Sequence, residues 1–178
     1  MRRLSTFPRW GLAVALTVTV SAVGTFAFAN HEPGHVIKKG KGPSKTVVVT
    51  DSQPFLIGSE DWTNLPGAKA KIKVPDGKRA LLLARFTAET VCYAPPAPEE
   101  CSARIMVDGK QALPASGKDF HIDSSYAGED EESQKAHAFD RSLEVGAGTH
   151  VVKVQGAAMG SVILRLDDWS LTVERVNL

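Results

Sequence analysis

The chain has 178 residues, 43% of them hydrophobic and 23% charged, with two cysteines and a formal net charge of +1. That is the composition of one globular domain, and it excludes a collagen, a coiled coil and a polytopic membrane protein. Residues 1–29 hold three of the 21 basic residues and none of the 20 acidic ones, so the remainder carries about −2, without the excess of cations that nucleic-acid binding requires.

Arg2, Arg3 and Arg9 precede an uncharged run from Gly11 to Ala29 that ends in Ala27-Phe28-Ala29, the small-x-small pattern of a signal-peptidase site. The sequence therefore predicts a signal peptide over 1–29 and a mature chain from Asn30, secreted or associated with the cell wall and with no membrane span after cleavage. An uncleaved anchor is the competing reading. No cysteine follows the apolar run, which removes a lipoprotein anchor.

Residues 30–44 are poor in large apolar side chains and rich in Gly, Pro and Lys, and read as a flexible basic arm. Within it His31-Glu32-Pro33-Gly34-His35 spells the zinc-protease pattern, but Pro33 and Gly34 break the helix that would hold both imidazoles on one face. A loose metal contact by His31, His35 and the new amino terminus is what the pattern can still offer. Gly40-Lys41 misses phosphate-loop spacing by one residue.

Residues 45–178 change character to short β-rich runs divided by turn residues. The runs are Thr46 to Thr50, Ala70 to Val74, Arg79 to Thr90, Ala103 to Val107, Asp119 to Ile122, Ala138 to Val145, His150 to Gln155 and Val162 to Val173. Their spacing predicts an antiparallel β-sandwich. Pro75-Asp76-Gly77, Asp108-Gly109 and Gly146-Ala147-Gly148 supply turns. Leu82, Ala84, Phe86 and Ala88 alternate with Arg85, Thr87 and Glu89, which marks one face as core. In the last run Val162, Leu164 and Leu166 share one phase and Trp169, Leu171 and Val173 the opposite one, so a bulge is required at Asp167-Asp168.

Cys92 and Cys101 enclose eight residues in the exported part, and an oxidising compartment would join them in a disulfide. The acidic stretch Gly128 to Glu132 caps a long loop, where function on a sandwich is commonly found. From Asp123 that loop has the frame of a calcium loop, but Ala127 and Gln134 stand where ligands belong. A looser calcium site would draw on Asp123, Glu129, Asp130 or Glu131. There is no Gly-x-Ser-x-Gly elbow, and His121, His137 and His150 are scattered, with Asp140 and Asp168 the carboxylates considered as their partners. Among the aromatic residues Phe86 and Trp169 read as core, whereas Tyr93, Tyr126 and Trp62 are the candidate ligand contacts.

The order of features from Arg79 to Val173 resembles jelly-roll modules of the carbohydrate-binding and C1q/TNF-like kinds. These features are a long strand through Phe86, Ile105-Met106-Val107-Asp108-Gly109, a long loop, Gly146 to Val154 and Leu166-Asp167-Asp168-Trp169. It is also similar to small secreted actinobacterial proteins of unknown function. The resemblance implies a jelly-roll sandwich and assigns no binding residue. The expectation is a noncatalytic binding or interaction module, first for a protein or surface-structural partner, including a homo-oligomer. A glycan-binding module is the alternative and a secreted hydrolase the second alternative. No cofactor is expected beyond loosely bound calcium.

Overall fold

The computed structural model describes residues 42–93, 99–125, 130 and 132–178. The expected signal peptide, most of the arm, Tyr126, Glu129 and Glu131 lie outside them. Among the described residues ten strands follow one another: β1 Pro43–Asp51, β2 Phe55–Ile57, β3 Thr63–Val74, β4 Ala80–Tyr93, β5 Glu100–Val107, β6 Lys110–Gln111, β7 His121–Ser124, β8 Lys135–Val145, β9 Gly148–Ala158 and β10 Ile163–Asn177.

The strands form two antiparallel sheets. In the first the order is β1-β10-β4-β8, with β2 continuing along the side of β10 that β1 occupies. In the second it is β3-β9-β5, with β6 and β7 pairing opposite ends of β5. Taking β1 with β2 and β6 with β7 as interrupted single strands leaves four positions in each sheet, the arrangement of a jelly roll.

Alternation explains which faces meet. From β4 the residues Leu82, Ala84, Phe86 and Ala88 are buried while Arg85 and Glu89 are exposed, and β3 sends in Ala70, Ile72 and Val74 while Lys69, Lys71 and Lys73 face water. Leu164, Leu166, Trp169, Leu171 and Val173 of β10 complete the centre with Ile105, Val107, Val152 and Val154 from the opposite sheet. The phase change in β10 is accommodated as expected: its pairing with β4 shifts between Asp167 and Ser170, and Asp168 adopts φ +40°. Trp169 then points inward, its ring beside Gly67 of β3, where an added Cβ would stand 3.4 Å from Cζ2 and which lies at a second irregularity.

Most strands run beyond the expected bounds, Asp119 ends a 3-10 turn so that β7 starts only at His121, and β2 and β6 lie outside the expected runs; two of the differences have a clear local cause. Strand β1 begins at Pro43, inside the expected arm, because main-chain pairing to β10 needs no apolar side chain; Arg175 Nε donates to Ser44 Oγ at 2.9 Å and Ser44 Oγ donates to the Arg175 carbonyl at 3.0 Å. Strand β3 starts at Thr63, well before Ala70, because the Pro66-Gly67 break is carried as a bulge and the strand continues through it.

Both cysteines are fully buried and bonded, with a Cα–Cα distance of 5.8 Å. Since Cys92 lies on β4 and Cys101 on β5, the bond ties one sheet to the other.

Candidate functional site

The outer face of β3-β9-β5 gathers the side chains best suited to a ligand. Val152 and Val154 face the core, so Lys153 and Gln155 face out; Ile105 and Val107 do the same for Arg104 and Met106. In β3 the five steps from Asn64 to Lys69 span the distance that two steps span in β9, and Gly67, at φ +75°, makes the excursion accessible. The bulge brings Asn64 and Lys69 into adjacent rows across the sheet.

The first row is Asn64–Gln155–Arg104. Arg104 Nε donates to Gln155 Oε1 at 2.8 Å, and Gln155 Nε2 donates to Asn64 Oδ1 at 3.1 Å. The Arg104 guanidinium lies over the Trp62 indole, 4.1 Å from its centroid, and burial lowers its pKa from the ordinary guanidinium value. The remaining Arg104 N–H groups and the Asn64 amide N–H groups have no partner among the described residues, so donors are left over at the surface.

The second row is Lys69–Lys153–Met106. Two ammonium groups thus sit on directly paired residues, with no carboxylate in ion-pair range of either among the described residues. An open trough of about 420 Å³ runs over Asn64, Lys69, Met106, Asp108, Lys153 and Gln155, and a hollow of about 210 Å³ over the bulge shares Asn64, Lys69 and Lys153 with it.

Asp108 is the one acid lining the trough, and it is already engaged. Asp108 and Gly109 both have positive φ, as a tight hairpin turn requires, and the carboxylate accepts from Val151 N–H at 2.8 Å and lies 2.6 Å from His150 Nδ1. The other ring nitrogen of His150 reaches the Gly146 carbonyl at 2.9 Å, so one imidazole ties two turns together. Burial pushes the Asp108 pKa up, but the Val151 hydrogen bond and the bond and charge of His150 outweigh it, and the net shift is downward.

A depressed carboxylate stabilises the fold above its unfolded value and ceases to do so as the pH falls through the folded value. Asp108→Asn, which keeps an acceptor for Val151, is therefore expected to lower stability at neutral pH by at most about 1 kcal/mol, since the side chain is 44% exposed and water screens it. Urea unfolding at a series of pH values checks this: the difference from wild type should close below about pH 4. A gap that widens toward acid would reverse the assignment.

The other residues singled out in the sequence go elsewhere. Of the two aromatic candidates among the described residues, Trp62 stands beside the first row, against the Arg104 guanidinium, without itself lining the trough, and Tyr93 ends β4 in the opposite sheet, half-buried. Asp123 turns toward the interior, accepting from the buried Thr90 hydroxyl at 2.7 Å and from Ser124 N–H at 2.9 Å, while Asp130 accepts from Glu132 N–H in its own loop. The structure does not converge these two acids, and among the described residues no group of three or more metal-ligating side chains forms.

Each of the three histidines stands near a carboxylate, though not near Asp140 or Asp168. His121 Nε2 is 3.2 Å from Glu100, His150 binds Asp108, and His137 Nδ1 bonds Thr90 Oγ1 at 2.7 Å, 3.8 Å from Asp123. Asp140 instead pairs with Arg85 at 2.8 Å, and Asp168 forms the bulge. Thr90 is fully buried, so its hydroxyl fastens the edge between β4, β7 and β8 and is closed to a substrate.

No family model and no curated protein matches the chain. Among solved structures, dimeric latent PorU from Porphyromonas gingivalis is similar at 13% identity, with a TM-score of 0.32 and coverage of 80% of this chain and 14% of that one. At that level neither fold nor function is carried across.

Proposed function

We propose that the chain is a noncatalytic glycan-binding module, exported and held by its disulfide, whose site is the outer face of β3-β9-β5. The observation that carries this reading is the row of Trp62, Arg104, Gln155 and Asn64. A saccharide presents C–H surface that packs on an indole and hydroxyls that need both donors and acceptors, and this row offers both. Arg104 holds the half-exposed indole in one orientation, so little rotamer freedom is lost when a sugar arrives. The buried disulfide is compatible with an extracellular setting.

Retention on immobilised polysaccharides tests the reading. Trp62→Ala is expected to weaken the tightest interaction of the wild type by about tenfold or more, the loss typical of a buried aromatic anchor, with the far-ultraviolet spectrum unchanged. Failure of the wild type to be retained by any neutral or acidic polysaccharide would end it.

A second reading, contact with a protein partner, is favoured by the outer face of the other sheet. There the exposed Val48, Leu83 and Leu113 flank a cleft of about 390 Å³ lined also by Arg85, Pro114 and Glu174. Self-association in sedimentation that Leu83→Glu abolishes and Trp62→Ala leaves intact would favour that face.

A further inference from the structure

We infer that the trough takes a negatively charged glycan, one that repeats carboxylate or sulfate groups along its chain; the inference rests on the glycan reading above. Two observations carry it. The first is the pairing of Lys69 with Lys153. Residues directly opposed on neighbouring strands are mutually stabilising when their charges differ and destabilising when they match, so a sheet with no ligand to accommodate gains from an acid at one of these positions. Lysine along β3 alone has a structural explanation, because β3 is the edge of its sheet and exposed edge lysines discourage strand addition by other chains. That explanation does not reach Lys153, which lies on β9, flanked by β3 and β5. A cation there adds nothing to edge protection and repels Lys69.

The second observation is the electrostatic setting. The chain beyond residue 29 is slightly acidic as a whole, yet the trough and the adjoining hollow are lined by Lys69 and Lys153 with Asp108 as the single acid in their lining, and Gln155 on the trough wall accepts a hydrogen bond from Arg104. That acid is bonded to His150 and to Val151 N–H and so does not neutralise the lysines. A cationic groove on an acidic body concentrates anionic chains at its own surface. The unpartnered N–H groups of Arg104 offer a planar pair of donors of the kind that fits a carboxylate or sulfate. An extended polyanion lying from the bulge toward Asp108 would meet Trp62 and the amide row at one end and both ammonium groups along its length.

The test compares polygalacturonate, its fully methyl-esterified form, a sulfated galactan and a neutral glucan, by affinity electrophoresis at two salt concentrations. The esterified chain has the same backbone without the charge. We expect at least one of the two anionic polymers to be retained about tenfold more strongly than the two neutral ones, with the preference reduced by salt. A double Lys69→Gln, Lys153→Gln variant should lose that preference, whereas a double Lys45→Gln, Lys78→Gln variant, the same change of charge at two exposed positions that do not line the trough, should keep it. Loss of preference in both variants would assign the effect to net charge and overturn the site. Equal retention of acid and ester, or retention of the neutral glucan alone, overturns the anionic ligand and leaves the glycan reading standing. No retention of any polymer overturns both. Which anionic polymer is held decides between carboxylate and sulfate as the recognised group.

Discussion

Phe86→Ala is expected to cost about 3 to 5 kcal/mol, the largest loss from any single truncation in this fold. Phe86 is completely buried in the middle of β4, paired directly with Leu171 of β10 on one side and Phe139 of β8 on the other. Its ring meets Phe139 edge-on at 5.9 Å and lies 6.3 Å from Trp169 at a 32° tilt, contacts that each contribute about 0.5 to 1.5 kcal/mol beyond the area they bury. The neighbours are strand residues held by pairing on both sides, so they cannot collapse into the space left behind. A domain of this size has about 5 to 15 kcal/mol in total, so the variant should unfold at a temperature lower by roughly 10 °C or more. Phe86→Leu, which keeps most of the volume, should lose less than about 1.5 kcal/mol. Equilibrium denaturation of the two variants checks the contrast, and near-equal losses would mean that ring packing does not set the stability of this layer.

Opening the Cys92–Cys101 bond has the next largest expected effect. The bond closes a loop of sequence separation 9, and in the chain-entropy account such a closure stabilises the native state by roughly 2 to 3 kcal/mol. Its position adds a second consequence. The loop is the passage from one sheet to the other, so without the bond the two layers are joined there by an open chain, and the unfolded ensemble gains that freedom. A Cys92→Ala, Cys101→Ala variant should melt lower by roughly 10 °C, and a thiol reductant should lower the wild type to the same level while leaving the variant unmoved. A reductant that shifts both equally would show that the wild-type effect does not come from this bond.

Much of the sandwich was legible in the sequence, because a half-buried strand writes its orientation into alternate residues. Leu82 to Ala88 on β4 and the phase change around Asp167 on β10 could be read locally, and the structure places the bulge where the phase changes. Strand β2 escaped because three residues after Pro54 carry no period to detect. The first half of β3 escaped because Pro66 and Gly67 look like a terminus, although the bulge lets pairing with β9 continue on both sides of them.

The site was legible only in part, and the reason is register. Alternation alone places Arg104, Lys153 and Gln155 on outer faces. That Gln155 bridges Asn64, 91 positions earlier, and Arg104, 51 positions earlier, depends on which residue pairs with which across three strands, and no local pattern states that. Trp62 was recognisable as an aromatic near a turn, but the guanidinium that orients it came from another strand. The acidic residues of the loop drew attention by composition, whereas the pairing of Lys69 with Lys153 carries more chemical meaning and is invisible without the strand alignment.

The bulge in β10 also determines which kinds of change this chain can accept. Asp168 supplies one residue more than β4 has on the facing strand, and the two halves of β10 owe their common inward face to that single surplus. Exchange of Asp168 for glycine or asparagine, which occupy the same left-handed backbone readily, leaves the count intact. Loss of one residue there would rotate the remainder of the strand by half a turn, setting Leu171 and Val173 in water and pressing Thr172 and Glu174 into the interior. Sequences built on this frame can therefore diverge at that point among the residues that accept a left-handed backbone, while their length stays constant.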